Sequence, residues 1–116
     1  MQVKRICVCG GRDYADKDRV FRALDNAVAT FGMFELVHGG ARGADSLAGE
    51  WAAHVGATTH VFMADWNKHK RAAGPIRNRE MIAFGFDLLI AFPGGNGTAD
   101  MMGATRKAGI PVYEIG

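Results

Sequence analysis

Cysteine is scarce in this chain: Cys7 and Cys9, one C-x-C pair, are its only two. Two thiols cannot complete a tetrahedral zinc site without distant histidines. No metal is therefore expected, and the pair reads as buried, reduced structural thiols. Long apolar runs are also missing, since none reaches the roughly 18 residues a membrane span needs. No signal peptide precedes the first expected strand. These absences lead to the expectation of a cytoplasmic protein with no membrane partner. Charge of one sign is lacking too: the formal balance is +2, and the positive residues are not massed in a tail. Such a balance does not call for nucleic acid, and we do not expect it as a partner.

What is present is ordinary for a folded protein, with 48% apolar and 22% charged residues. One domain over 1–116 is expected, with enough chain for a five-stranded layered core. Glycine is plentiful, with 16 residues, and it clusters where apolar runs end. Ala91-Phe92-Pro93-Gly94-Gly95-Asn96-Gly97-Thr98-Ala99-Asp100 is the main cluster. It follows the apolar run 86–92 and precedes a helix-like segment, 99–108. Strand, glycine turn and helix together make an anion site, because the unpaired N–H groups of a first helical turn face outward. Thr98 would add a hydroxyl or cap the helix. A tight turn with nothing bound is the plainer alternative.

The rest of the chain repeats this logic. A β-rich run, 3–9, ends at Gly10-Gly11-Arg12, where an arginine could grip an anion. Asp16 or Asp18 would cap the next helix, with Val20, Phe21, Leu24, Ala27, Val28 and Phe31 facing inward and Gly32 closing it. A second strand, 34–38, ends at Gly39-Gly40-Ala41-Arg42-Gly43-Ala44-Asp45, and a helix over 45–55 follows. Asp45 stands where it could cap that helix or meet a ligand, and His38 divides evenly between a structural and a ligand role. A third strand, 58–63, leads into a long polar loop, 64–75, containing Trp66 and Lys68-His69-Lys70-Arg71. Trp66 would anchor this loop or cover a ligand ring, and the basic run reads as a solvated face. A helix over 76–84 carries Arg77, Asn78 and Arg79 in its first turn. Arg77 and Arg79, two apart, do not share a helix face, so one would hold a carboxylate while the other meets the ligand. A last strand spans 110–115.

Five strands separated by long crossovers predict a Rossmann-like α/β three-layer sandwich around a parallel sheet, order 3-2-1-4-5. The order reverses between the first and fourth strands, which brings Gly10-Gly11-Arg12 opposite the 94–98 turn.

The motifs at 39–45, at Gly74-Pro75-Ile76-Arg77-Asn78-Arg79-Glu80-Met81 and at 93–98 together resemble the YspA/YpsA-related branch of the SLOG proteins. That Rossmann-like class includes the lonely-guy phosphoribohydrolases, long called lysine decarboxylase-like, and the DNA-processing protein DprA. The resemblance covers nearly the whole chain. It implies binding of a nucleotide-derived small molecule, such as a nucleoside monophosphate or an ADP-ribose derivative, with no resident cofactor. The ligand-binding positions would be Gly10, Gly11, Arg12, Gly39, Gly40, Arg42, Gly43, Arg77, Asn78, Gly94, Gly95, Asn96, Gly97 and Thr98. The lonely-guy enzymes cleave an N-glycosidic bond, and their phosphate loop resembles 93–98. Two acidic residues follow that loop in those enzymes, whereas Asp100 and Met101 stand here. Arg79 matches their active-site arginine, with Arg77 as the alternative alignment. Asp45, Arg79 and Asp100 are thus the catalytic candidates for a nucleotide N-glycosidase. Met101 cannot do acid or base work, which favours a non-catalytic sensor of a nucleotide signal as the alternative. A nucleic-acid module, resting on the Arg and Lys content of 68–79, is a third reading. By analogy a homo-oligomer is expected, with Trp51, Phe84 and Met101-Met102 as contact candidates.

Overall fold

The computed structural model describes residues 2–116. Its five strands are β1 (Arg5–Cys9), β2 (Glu35–His38), β3 (Thr59–Val61), β4 (Leu88–Ala91) and β5 (Val112–Glu114). All neighbours pair in parallel, in the order β3-β2-β1-β4-β5. This is the expected Rossmann-like sandwich. No helix among the described residues is long and apolar enough to cross a membrane.

Strand alternation divides the core into two layers. Ile6, Val8, Leu88 and Ile90 point to one face, under α1 (Lys17–Phe31) and α2 (Ala44–Val55). Cys7, Cys9, Leu89 and Ala91 point to the other, under Met81 and Met101. Those methionines come from α4 (Ala73–Phe84) and α5 (Asn96–Lys107). Both thiols are free and buried. Burial pushes Cys9 up to about 12, so it stays a protonated, unreactive thiol at neutral pH.

Helix α1 forms as its sequence requires. The Asp16 side chain accepts from the Arg19 N–H at 3.1 Å, and Gly32 closes the helix at φ 81° with its N–H on Val28 O. Val20, Leu24 and Ala27 are buried, but Phe31 is 37% exposed. The full burial expected for Phe31 fails because it lines an open groove beside Leu88 and Ile90. Trp51 and Met101 also depart from expectation as surface contacts, since both are buried inside the chain. Trp51 stacks on Phe34 with ring centroids 5.5 Å apart, and its Nε1 donates to Asp25 at 2.9 Å. A tryptophan so placed fills the core, and neither residue is available to a second copy.

The segment expected as one long loop is mostly helical. A short α3 (Trp66–His69) and a 3₁₀ turn (Lys70–Ala72) run into α4, which begins at Ala73 instead of Ile76. Asp65 caps α3 by accepting from the Lys68 N–H at 3.0 Å. The last helix also starts earlier than periodicity predicts, at Asn96 instead of Ala99. Asn96, Gly97 and Thr98 are its first turn, not a loop before it.

Candidate functional site

The carboxyl ends of β1 and β4 diverge into two turns that touch. The Gly11 N–H donates to Pro93 O at 2.9 Å, and Gly11 O receives the N–H groups of Tyr14 and Ala44, each at 3.2 Å. The 10–12, 43–44 and 93–94 turns are thereby stitched into one floor. A Cβ on Gly10 would lie 2.5 Å from the Ala44 Cβ, so what approaches this glycine is the chain itself. Its smallness serves loop packing.

Above that floor lies a cleft of about 490 Å³. Gly10, Gly11 and Arg12 line one side of it, and Gly95, Asn96, Gly97 and Thr98 the other. Asp45, Arg77, Asn78 and Asp100 line it as well. Gly94 is not on the wall; it packs beneath, against Thr98 Oγ1 and the Gly11 N. Gly39, Gly40 and Arg42 line an adjoining, smaller chamber of about 160 Å³ instead. Gly43 is packed against Gly11 O and the Arg12 carbonyl. Arg79 lines neither space. An apolar groove of about 390 Å³ between α1 and the strands β4 and β5 has no such gathering of glycine turns and polar groups.

The helix ends around the cleft are not equivalent. The N-terminus of α2 gives its Ala44 N–H to Gly11 O. Neither helix has a side-chain cap, but α5, which begins at Asn96 after the N-cap Gly95, has no comparable loop acceptor for its first N–H groups among the described residues. The N–H groups of its first turn are therefore left for solvent or a ligand, with the positive end of the helix dipole behind them. Thr98 lines the cleft, whereas the buried side-chain hydroxyl without a partner among the described residues is that of Thr105.

The carboxylates are committed elsewhere. Asp100 accepts both Arg79 nitrogens, Nη1 at 2.8 Å and Nη2 at 3.1 Å, and also Asn78 Nδ2 at 3.0 Å. These contacts, the Arg79 hydrogen bonds foremost, hold its carboxyl below the usual range. Asp45 Oδ2 accepts the N–H groups of Gly39 at 3.0 Å and Ala41 at 3.2 Å. It caps the turn after β2, not the helix it sits in. Burial pushes its carboxyl up to about 6, against the pull of those N–H groups and of Arg77 and Arg12. His38 is also structural: buried, it accepts the Gly40 N–H on Nδ1 at 3.0 Å, and burial lowers its pKa.

Arg77 and Arg79 divide their work as their spacing requires. Arg79 takes the carboxylate. Arg77 faces the cleft, with Nη1 on Gly39 O at 2.6 Å and Nε on Asn78 Oδ1 at 3.1 Å. Asn78 completes the frame, since its Nδ2 also reaches Gly97 O at 3.4 Å and so ties α4 to the first turn of α5. Arg79→Ala is expected to leave stability nearly unchanged, because this ion pair is largely exposed to solvent and screened by it. Urea unfolding checks this.

Sequence reasoning missed Arg71, which lines the cleft, and Met63, which lines the smaller chamber. Neither carries a signal in the sequence. Arg71 reads as one charge in a solvated run, and only the turn from α3 into α4 aims it inward.

Residues 4–69 match the family described as the YspA, cpYpsA-related SLOG family. The chain is 38% identical to the gene 61 protein of Mycobacterium phage D29 over 98% of each. Its fold overlays on DNA processing protein A (DprA) from Streptococcus pneumoniae with a TM-score of 0.74 at 18% identity. That overlay covers 98% of this chain and 50% of the other, so the chain spans about half the length of that protein. The expectation against a nucleic-acid partner does not survive this comparison. A DNA processing protein has the same fold, and a small net charge says nothing about how arginines gather at one cleft.

Proposed function

We infer, from a chain that belongs to the YspA, cpYpsA-related SLOG family, that the cleft between β1 and β4 binds a phosphate-bearing nucleotide ligand and holds it without hydrolysing it. One observation carries this reading: the first turn of α5 has no side-chain cap, and its residues Asn96, Gly97 and Thr98 line the cleft beside Gly95. First-turn N–H groups of a helix have no partner within the helix, so a donor set left open at a helix N-terminus suits an anion. Arg12, Arg71 and Arg77 line the same cleft and would supply charge-assisted donors.

Binding without turnover is favoured by how the carboxylates are used. N-glycosidic cleavage needs one carboxylate to steady an oxocarbenium ion or to activate water. Asp100 is clamped by Arg79 and Asn78, and Asp45 by two backbone N–H groups. Met101, where a second acidic residue would stand, is buried in the core. Such a module suits a sensor whose output is the bound state.

Thr98→Val tests the site at constant side-chain volume. Losing one hydrogen bond to a charged group costs about 1.5–3 kcal/mol. Calorimetric affinity for adenosine 5′-monophosphate is therefore expected to fall about tenfold or more. Stability should stay nearly constant, because the hydroxyl bonds nothing in the protein. Unchanged affinity would reject the phosphate position, and release of free adenine over many turnovers would reject the binding-only reading.

A further inference from the structure

The smaller chamber opens off the main cleft, and Arg12, Ala41, Trp66 and Arg77 line both. Arg12 lies over the Trp66 ring, 5.1 Å from guanidinium carbon to centroid, and this pair marks the join. Beyond it, Arg42 and Met63 complete the small chamber. Three guanidinium groups and no carboxylate face this space. Arg77 already serves Gly39 O and Asn78. The side chains of Arg12 and Arg42 make no ion pair or hydrogen bond among the described residues. At about 160 Å³ the chamber has room for roughly five waters. That is room for a hydrated phosphate. Trp66 is 46% exposed and offers an aromatic face beside it.

We propose that the small chamber is a second phosphate subsite, so that the ligand carries phosphates on both sides of one nucleoside. This rests on the phosphate reading of α5 above. The first phosphate sits on the α5 turn, the nucleoside passes the Arg12–Trp66 pair, and the second phosphate meets Arg42. Stacking on an exposed tryptophan between two phosphate contacts is how single strands are held. Two sources share this chemistry: a free nucleoside 3′,5′-bisphosphate and the repeating unit of a nucleic-acid strand.

Calorimetry at one fixed ionic strength compares adenosine 5′-monophosphate, adenosine 3′,5′-bisphosphate and 5′-phosphorylated oligodeoxyadenylates of two to six nucleotides. The bisphosphate is expected to bind at least tenfold more tightly than the monophosphate. Arg42→Ala should bring that ratio close to one. Arg22→Ala on α1, which removes an equal charge outside both spaces, should preserve the ratio. Thr98→Val should weaken both nucleotides and likewise preserve it. Affinity rising with strand length identifies a strand as the source, and affinity flat beyond one nucleoside identifies the free bisphosphate. A wild-type ratio near one, or a ratio that survives Arg42→Ala, overturns the second subsite. If Thr98→Val still weakens the monophosphate in that case, the first site stands alone. If neither nucleotide binds the wild type, both readings fall.

Discussion

Gly43→Ala is expected to destabilise the protein by about 3 kcal/mol, and to abolish nucleotide retention with it. Gly43 has φ 77° and ψ −126°, a region that side chains avoid at a cost of order 1–3 kcal/mol. The added methyl would also meet Gly11 O and the Arg12 carbonyl. Overpacking against rigid backbone adds about 1–3 kcal/mol. Relief requires Gly11 to move, yet Gly11 O holds the Tyr14 and Ala44 N–H groups and the Gly11 N–H holds Pro93 O. One methyl thus loosens all three turns that floor the cleft. Urea midpoints for the two proteins measure the stability term, and calorimetry measures binding. A variant within 1 kcal/mol of wild type would show that the three turns are not mechanically joined.

The second large effect is a pH dependence centred on Asp45. Its carboxyl titrates near 6 in the folded chain, against an ordinary value of 3.8. Between those values the folded state holds a proton that the unfolded state has released. Folding is therefore favoured at low pH, and this contribution fades as pH rises through about 6. A gap of roughly two units corresponds to about 3 kcal/mol. Asp45→Asn removes the titration and can still accept the Gly39 and Ala41 N–H groups. His38 works in the opposite sense: its lowered pKa adds stability as pH rises through its ordinary range. It is present in both proteins, so its effect cancels in their difference. Urea unfolding from pH 4.5 to 7.5 should show wild type losing ground to Asp45→Asn as pH rises. A difference independent of pH would contradict this account. The same change should lift phosphate affinity most above pH 6, where a carboxylate in the cleft repels the anion.

Much of the architecture was legible because it depends on short-range patterns. The apolar runs ending at Cys9, Val37 and Phe92, each followed within two residues by glycine, mark strands buried on both faces, and the crossovers between them are long enough for parallel pairing. The meeting of the 10–12 and 94–98 turns followed from the strand order alone. Boundaries were harder to place. Asn96-Gly97-Thr98 reads as loop because glycine is a poor helix former, yet it is the first turn of α5. The Asn78 contact on Gly97 O helps hold it there, and that contact spans two helices. The segment 66–72 likewise lacks an apolar period and becomes helical as it docks beside α4.

The roles of individual charges were the least legible part. Asp45 and Asp100 both stand beside glycine loops in the sequence, and both could be taken for catalytic carboxylates. In space one secures a turn and the other secures an arginine. Arg42 and Arg77, read together as binding residues, face different spaces, with Arg77 bordering both.

Alternation, glycine spacing and crossover length by themselves pointed to the sheet, its strand order and the end of the sheet where a ligand would sit, because strand periodicity, turns and the rules of parallel connections are written along the chain. Only the tertiary structure decided which donors remain open, which carboxylates are occupied and that the cleft has a second chamber. For Arg77 and Asp100 those choices are made by hydrogen bonds across 38 and 22 positions, and a linear pattern holds no record of which partners will meet.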